Sequence, residues 1–94
     1  MKFLTEKNFE QETKSGKVLL QFTASWCGPC KALSPIVEAL EFTKFKVDVD
    51  DAPELLKKFN VRSVPTLVLL NDGKEIKRKV GLLKKEELES FVNE

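Results

Sequence analysis

The sequence has no histidine and no tyrosine, and it has two cysteines, one tryptophan and one methionine among its 94 residues. A mononuclear structural zinc site takes four ligands, mostly cysteine and histidine, so such a site would here need carboxylates or a second subunit. We therefore expect no metal ion. The missing histidine also removes the cysteine–histidine pair with which cysteine proteases activate their nucleophile.

The sequence also lacks long apolar runs and a strong net charge. No apolar run approaches the roughly 20 residues that span a bilayer. Near the start, Lys2, Glu6 and Lys7 interrupt the apolar residues before a signal-peptide core of the usual length can form. The net charge of +1 produces no overall field that would attract nucleic acid or an acidic membrane. We expect a cytoplasmic monomer that binds neither nucleic acid nor membranes.

What the chain does contain is the composition of one ordinary folded domain. Hydrophobic residues make up 41% of the sequence and charged residues 33%, which excludes a disordered or collagen-like chain. A chain of 94 residues is long enough for a modest hydrophobic core and too short for a second domain. We expect a single domain that covers residues 1–94.

Strands and helices alternate along the first half of the chain. Residues 17–22 form a nearly continuous apolar run, which is typical of a strand covered on both faces. Residues 45–50 alternate apolar and charged side chains, which predicts a second strand. Between them, apolar residues recur at steps of three and four and mark the buried face of a helix. These apolar residues are Ala32, Leu33, Ile36, Val37 and Leu40. Pro35 is expected to kink this helix.

Capping and turn residues indicate the elements of the second half. Asp51 is expected to cap a helix that starts with Pro53 and Glu54. Residues 71–74 read Asn-Asp-Gly-Lys, which indicates a hairpin turn between two antiparallel strands.

The two ends of the chain carry weaker patterns. Residues 3–4 are expected to form a short edge strand, followed by a polar helix that Thr5 caps. A closing helix begins near residues 84–85, which are lysines and poor caps beside the positive end of a helix dipole. Glu86 and Glu87 partly offset that cost. The resulting order of elements predicts an α/β protein with a central mixed sheet and helices on both faces.

The two cysteines stand where the first buried strand gives way to a helix. Cys27 is expected at the N-terminus of that helix, with Cys30 one turn further on. Unpaired backbone amides and the positive end of the helix dipole stabilise a thiolate there and lower the pKa of the Cys27 thiol. A thiolate is the form that attacks disulfides. Gly28 lets a partner backbone approach, and Pro29 fits the first helical turn.

Two other interpretations of the cysteine pair stay open at this point. The pair could form a purely structural disulfide, although so small a loop restricts the unfolded chain very little. It could also be part of a metal site completed by other ligands. A single close pair in a reducing compartment favours redox chemistry over both.

Residues 26–31, Trp-Cys-Gly-Pro-Cys-Lys, resemble the active site of the thioredoxin family. The similarity covers nearly the whole chain, and several separated motifs follow the family's order. These motifs are Phe22, Ala24, Pro35, the segments 46–50 and 62–66, the turn at 71–73 and residues 80–81. The resemblance implies a thioredoxin fold, which is an α/β fold whose central mixed β-sheet is flanked by helices on both faces.

The resemblance also implies roles for individual residues. Cys27 matches the nucleophile of the family and Cys30 the resolving cysteine. Val64 and Pro65 match the cis-proline turn, which lies against the active site and offers the backbone of Val64 to a bound substrate strand. An apolar docking platform around the nucleophile would consist of Trp26, Gly28, Pro29, Val64, Pro65 and Gly81. Ordinary core packing is the alternative for Trp26 and for the valine.

The sequence departs from the family pattern in two places. The segment between Cys30 and Lys46 is shorter than in familiar members. Gln21 stands where the family usually carries a buried aspartate, and a glutamine cannot titrate. We expect resolution by Cys30 to depend on water or on the thiolate that leaves Cys27, with Lys46 helping to hold a thiolate. The alternative is that Gln21 simply satisfies a buried polar position.

The expected function is general protein-disulfide reduction through a dithiol–disulfide cycle of Cys27 and Cys30, with no bound cofactor. The resemblance implies protein disulfides as substrates and a thioredoxin reductase as electron donor. Two alternatives remain. One is disulfide isomerisation on the same fold, and the other is a binding module, or subunit of a larger assembly, that does not use its redox chemistry.

Overall fold

The computed structural model describes residues 1–93. Along these residues the chain forms four helices and four strands. In chain order they are α1 (Phe9–Thr13), β1 (Lys17–Thr23), α2 (Gly28–Glu38), β2 (Lys44–Asp48), α3 (Pro53–Lys58), β3 (Thr66–Asn71), β4 (Lys74–Val80) and α4 (Lys85–Asn93). Within residues 1–93, no helix is both long enough and apolar enough to cross a membrane.

The strands form one mixed sheet in the order β2-β1-β3-β4. β1 runs parallel to β2 and antiparallel to β3, and β3 runs antiparallel to β4. All residues of β1 after Lys17 are buried, which explains why this inner strand is a continuous apolar run and not an alternation. β2 lies at an edge of the sheet and alternates buried with half-buried residues, as predicted from its period of two.

Helices cover both faces of the sheet, as predicted, and each face has its own apolar core. On one face, Phe59 packs edge to face against Phe9 and Phe22, with ring centroids 5.6 and 5.8 Å apart. Such aromatic pairs add to the stabilisation from buried area. On the other face, Leu33 of α2 and Leu88 of α4 are fully buried in one cluster. This second core fixes α2, and with it the cysteines, on the sheet.

The apolar face of α2 matches its prediction except at two positions. Leu33 and Val37 are buried and Ile36 is half-buried. Ala32 is exposed, and Leu40 follows the end of the helix. The buried face is therefore narrower than the spacing of apolar residues predicts.

The N-terminal segment differs from its prediction. Among the described residues, Phe3 makes an isolated parallel bridge with Lys46 of β2, so the expected edge strand is reduced to one pair. α1 begins at Phe9, and its amide donates to the carbonyl oxygen of Thr5 at 3.0 Å. The hydroxyl of Thr5 accepts the amide of Lys7. Thr5 therefore starts a turn ahead of the helix and does not cap it.

The predicted cap of α3 is wrong. The N-cap residue is Ala52, whose side chain makes no capping hydrogen bond within residues 1–93, and Asp51 lies outside the helix. The amide of Glu54 donates instead to Oε2 of Glu6 at 3.0 Å. Pro53 occupies the first turn, as predicted. A carboxylate from the N-terminal segment thus takes the place of a local cap.

The hairpin and the closing helix follow their predictions. Asp72 and Gly73 connect β3 to β4 with φ angles of 52° and 84°, a region that glycine adopts without steric cost. Oδ1 of Asp72 also accepts the amide of Gly16 at 2.8 Å. At the start of α4, the amide of Lys84 donates to Oε1 of Glu87 at 2.9 Å. This glutamate compensates for the poor lysine cap.

Candidate active site around Cys27 and Cys30

Both cysteines lie at the N-terminus of α2, as predicted. Cys27 is the N-cap residue with an extended backbone, and Gly28 and Pro29 open the helix. Sγ of Cys27 accepts a hydrogen bond from the amide of Cys30 at 3.2 Å, a position that a serine or aspartate oxygen takes in other helices. The two cysteines form a disulfide with their Cα atoms 5.3 Å apart. Reduction would leave the Cys27 sulfur on an amide donor that stabilises a thiolate.

Both cysteines are buried, and the two residues between them are not. Cys27 is 5% exposed and Cys30 is 1% exposed, while Gly28 and Pro29 between them are exposed. The exposed glycine and proline leave room for another chain to approach the helix N-terminus. Cys27, the N-cap residue, is the cysteine nearer to that end of the helix.

A proline turn lies against Cys27. The Val64–Pro65 peptide bond is cis, as the resemblance implied. The carbonyl oxygen of Val64 lies 3.7 Å from Sγ of Cys27. The amide of Gly81 donates to the carbonyl oxygen of Pro65 at 2.9 Å, and Gly81 itself has a φ of 99°, which side-chain-bearing residues rarely adopt. The structure therefore brings the cysteine, the turn and this glycine together.

Trp26 stands beside the cysteines with 68% of its surface exposed, so core packing is wrong for this residue. Its indole Nε1 donates to Oδ2 of Asp50 at 3.0 Å. The sequence analysis missed Asp50, because no local pattern relates residues 24 positions apart. An open cavity of about 290 Å³ lies between Trp26, Asp50, Arg62 and Val64. The exposed tryptophan that precedes Cys27 therefore forms one wall of this cavity.

Gln21 is fully buried beneath α2. Its Nε2 donates to Oγ of Ser34 at 3.2 Å. Its Oε1 is buried and has no hydrogen-bond partner among residues 1–93. A buried acceptor without a partner costs about 1–3 kcal/mol. The buried amide of Gln21 therefore has a hydrogen-bond partner for its nitrogen but not for its oxygen among residues 1–93. No pattern in the sequence indicated the contact with Ser34.

Lys46 lies opposite Gln21 in the register of β1 and β2, but its side chain forms an ion pair elsewhere. Its Nζ lies 3.3 Å from Oε2 of Glu38 at the end of α2. The same Nζ stands 5.6 Å from the centroid of the Phe3 ring. Lys46 thus carries its positive charge on the face of the sheet that α2 covers.

A second open cavity, of about 200 Å³, is lined by Cys30, Ser34, Lys46 and Asp48 among others. Among the described residues, Cys30 borders this cavity and not the cavity beside Trp26. Within residues 1–93, no group of three or more cysteine, aspartate or glutamate side chains is placed to hold a metal ion. The buried cysteine therefore communicates with solvent through a space that is separate from the groove at the tryptophan.

Comparisons with known sequences agree with this geometry. A family model described as thioredoxin matches residues 1–94. The thioredoxin of Chlamydia trachomatis is 43% identical over 95 residues, which cover 96% of this chain and 93% of that protein. The thioredoxin of Bacillus subtilis is 41% identical over 95 residues, which cover 95% of this chain and 91% of that protein.

Solved structures of thioredoxins are also similar to this chain. A mutant thioredoxin from Halobacterium salinarum NRC-1 has a TM-score of 0.89 at 34% identity and is matched over 97% of this chain and 86% of that chain. The thioredoxin of Malassezia sympodialis has a TM-score of 0.86 at 28% identity, over 98% of this chain and 87% of that one. Together with the disulfide-bonded cysteine pair, these matches make the protein a thiol-disulfide oxidoreductase that reduces protein disulfides, and the chain belongs to the thioredoxin family.

Proposed function

We propose that Cys27 is the nucleophile and Cys30 the resolving cysteine of a general protein-disulfide reductase. The observation that supports these roles is the cap of α2, in which Sγ of Cys27 accepts the amide of Cys30 at 3.2 Å. The same donor and the helix dipole stabilise a thiolate at Cys27 once the disulfide is reduced. Cys30 is the more deeply buried of the two residues, and burial disfavours a thiolate.

The cycle consists of two thiol–disulfide exchanges. The Cys27 thiolate attacks one sulfur of a substrate disulfide, forms a mixed disulfide and releases the other substrate sulfur as a thiolate. Cys30 then loses its proton, attacks Sγ of Cys27 and displaces the second substrate sulfur. The substrate gains two electrons and two protons in total, and the protein is left with the Cys27–Cys30 disulfide.

Substrate docks on the surface around Cys27. The residues of this docking surface are Trp26, Gly28, Pro29, Val64, Pro65 and Gly81. The exposed indole of Trp26 offers a large apolar contact area next to the nucleophile. Because the Val64 carbonyl lies 3.7 Å from Sγ of Cys27, a substrate sulfur that reaches Cys27 brings its own backbone alongside Val64. An extended substrate segment is suited to that position.

Gln21 and Lys46 act on the cysteines from the sheet below. Gln21 positions Ser34 and carries no charge, so it cannot take the proton of Cys30. Lys46 adds a positive charge on the same face, which favours a thiolate. The proton of Cys30 therefore has to pass to an acceptor other than Gln21.

The substrates are protein disulfides, and the electrons come from a thioredoxin reductase. The family match over residues 1–94 supports a single domain, and this domain works as a monomer. The protein works in the cytoplasm, where a reductase can return the disulfide to the dithiol form, and it uses no bound cofactor or metal.

Turnover of a protein disulfide with dithiothreitol as donor tests these roles. The wild type is expected to reduce the substrate much faster than dithiothreitol alone, and Cys27→Ser to fall to the dithiothreitol background. Ser90→Ala, at an exposed position of α4, is the surface control and is expected to match the wild type. Wild-type turnover at the dithiothreitol background would contradict the proposal. A double Cys27→Ser, Cys30→Ser protein that kept full biological activity would assign the protein to binding.

A further inference from the structure

Cys30 has to lose a proton before it can attack Cys27, and the side chain beneath it cannot accept one. This inference rests on the proposed roles of the two cysteines. Gln21 is an amide, which accepts hydrogen bonds but does not titrate. The proton acceptor for resolution must therefore lie elsewhere around Cys30.

The open cavity of about 200 Å³ joins Cys30 to charged side chains of β2. Ser34, Lys46 and Asp48 line it together with Cys30. The strand register explains why Lys46 and Asp48 line the same cavity. Alternate residues of a strand face the same side of the sheet, and Thr23 of β1, which also lines the cavity, lies opposite Asp48. The cavity is several times larger than the ~30 Å³ that one water molecule occupies in the liquid. Water can therefore link the Cys30 thiol to these polar groups.

The charged groups that line the cavity come from α2 and β2. They are Lys31, Lys46 and Asp48. Lys46 is paired with Glu38 at 3.3 Å, and a charged lysine donates hydrogen bonds but cannot accept a proton. Asp48 is the one carboxylate that lines the cavity among residues 1–93. Its Oδ1 accepts the amide of Asp50 at 2.9 Å, which fixes the orientation of the carboxylate.

We propose that Asp48 accepts the proton of Cys30 through water in this cavity. The Cys30 thiol passes its proton through water to the Asp48 carboxylate, and the new thiolate attacks Sγ of Cys27. The Cys27–Cys30 bond forms, the bond between Cys27 and the substrate breaks, and the substrate sulfur leaves with the bonding electrons. Asp48 then returns the proton to solvent through the open mouth of the cavity. The electrons move as in the reductase reaction, so no further reductant is needed.

The test measures resolution separately from attack. Reduced protein is mixed with excess glutathione disulfide and quenched with acid at successive times, and mass spectrometry counts the chains that carry one glutathione. When the disulfide is concentrated enough for attack to precede resolution, the decay of this mixed disulfide gives the rate of attack by Cys30. The series is repeated from about pH 5 to about pH 9.

Asp48→Asn keeps an oxygen that can accept the amide of Asp50 but removes the base. We expect resolution to slow at least about tenfold at neutral pH, with attack by Cys27 unchanged. The direction of the change is diagnostic, because loss of a negative charge alone lowers the pKa of a nearby thiol and would speed resolution. Asp51→Asn, at an exposed position, makes the same change of charge and is expected to keep the wild-type rate. Asp48→Glu, which keeps a carboxylate, is expected to resolve the mixed disulfide faster than Asp48→Asn.

Two results would overturn the role of Asp48. One is resolution by Asp48→Asn at the wild-type rate or faster, with the wild-type dependence on pH. The other is equal slowing by Asp51→Asn, which would show that the slowing does not depend on a carboxylate in the cavity. Cys30→Ser tests the underlying cycle separately, because its mixed disulfide with glutathione must persist. Decay of that mixed disulfide at the wild-type rate would refute the roles of the cysteines and not the role of Asp48 alone.

Discussion

At the scale of single residues, the buried amide of Gln21 decides what the site can do with protons. Its Nε2 binds Ser34, and its Oε1 has no partner within residues 1–93. A neutral amide costs less to bury than a carboxylate. The position therefore favours stability over acid–base chemistry, and the charged side chains that line the cavity beside Cys30 are those of Lys31, Lys46 and Asp48.

Gln21→Asp is expected to lower the free energy of unfolding by about 2 kcal/mol or more at neutral pH. Burial raises the pKa of the introduced carboxyl above its value of about 4 in the unfolded chain. As the pH rises, this carboxyl therefore loses its proton in the unfolded chain at a lower pH than in the folded protein. The stability of the variant falls as the pH rises above the unfolded-state pKa. Urea unfolding at acidic and neutral pH measures the change. Gln21→Leu is the neutral control, and an equal cost of Gln21→Asp at both pH values would contradict the prediction.

Trp26→Ala is expected to raise KM for a protein disulfide by about tenfold, since exposed aromatic anchors dominate many binding surfaces. The rate with a small disulfide such as hydroxyethyl disulfide is expected to stay close to the wild type, because this substrate does not reach the indole. Trp26→Phe keeps a ring but loses the hydrogen bond to Asp50, and it is expected to retain most of the affinity. Equal losses with the large and the small substrate would contradict a docking role.

At the scale of helices and strands, contacts between distant segments fix several element ends. Glu6 supplies the acceptor for the amide of Glu54 at the start of α3. Nη2 of Arg78 in β4 donates to the carbonyl oxygen of Phe59 at 2.5 Å, just beyond the end of α3. Both ends of this short helix are therefore tied to segments far away in the sequence.

The ion pair of Glu75 and Arg78 in β4 gives a dependence of stability on pH. Nε of Arg78 lies 2.6 Å from Oε2 of Glu75, and the hydrogen bond from Arg78 lowers the pKa of Glu75 against the opposing effect of burial. An acid whose pKa is lowered by folding stabilises the protein above its unfolded-state pKa, and this contribution is lost as the pH falls through the folded-state value. Because the pair is partly exposed, the contribution is below about 1 kcal/mol.

Glu75→Gln is accordingly expected to cost less than about 1 kcal/mol at neutral pH and less again at about pH 2, because protonation of the wild-type carboxyl weakens the ion pair as the pH falls. Urea unfolding of both proteins at the two pH values measures this difference. Glu41→Ala, at an exposed position after α2, is the control for loss of a surface carboxylate. A cost that is the same at both pH values would show that packing, and not the ion pair, carries the effect.

The sequence predicted those elements whose signals are local. The apolar run of β1 and the turn at 71–74 each encode their own structure, so both are confirmed. Asp51 was expected to cap α3 because local rules favour it, but the acceptor comes from Glu6, 48 positions away. No pattern within a few residues can reveal such a contact.

At the scale of the whole molecule, the sheet and its two cores present one functional edge. The ends of β1 and β2, the start of α2 and the turn before β3 meet there. The sequence predicted the cysteines and the turn through local motifs and the family resemblance. It missed Ser34, Asp48 and Asp50, since their roles arise only where the fold brings separate strands and helices together.

The central claim is that Cys27 attacks a protein disulfide and Cys30 resolves the mixed disulfide. The most direct measurement is mass spectrometry of the acid-quenched reaction with a protein-disulfide substrate, for the wild type, Cys27→Ser and Cys30→Ser. Cys30→Ser is expected to accumulate a one-to-one covalent complex through Cys27, Cys27→Ser is expected to form none, and the wild type is expected to proceed to its internal disulfide. A complex with Cys27→Ser, or release of substrate by Cys30→Ser at the wild-type rate, would contradict the claim.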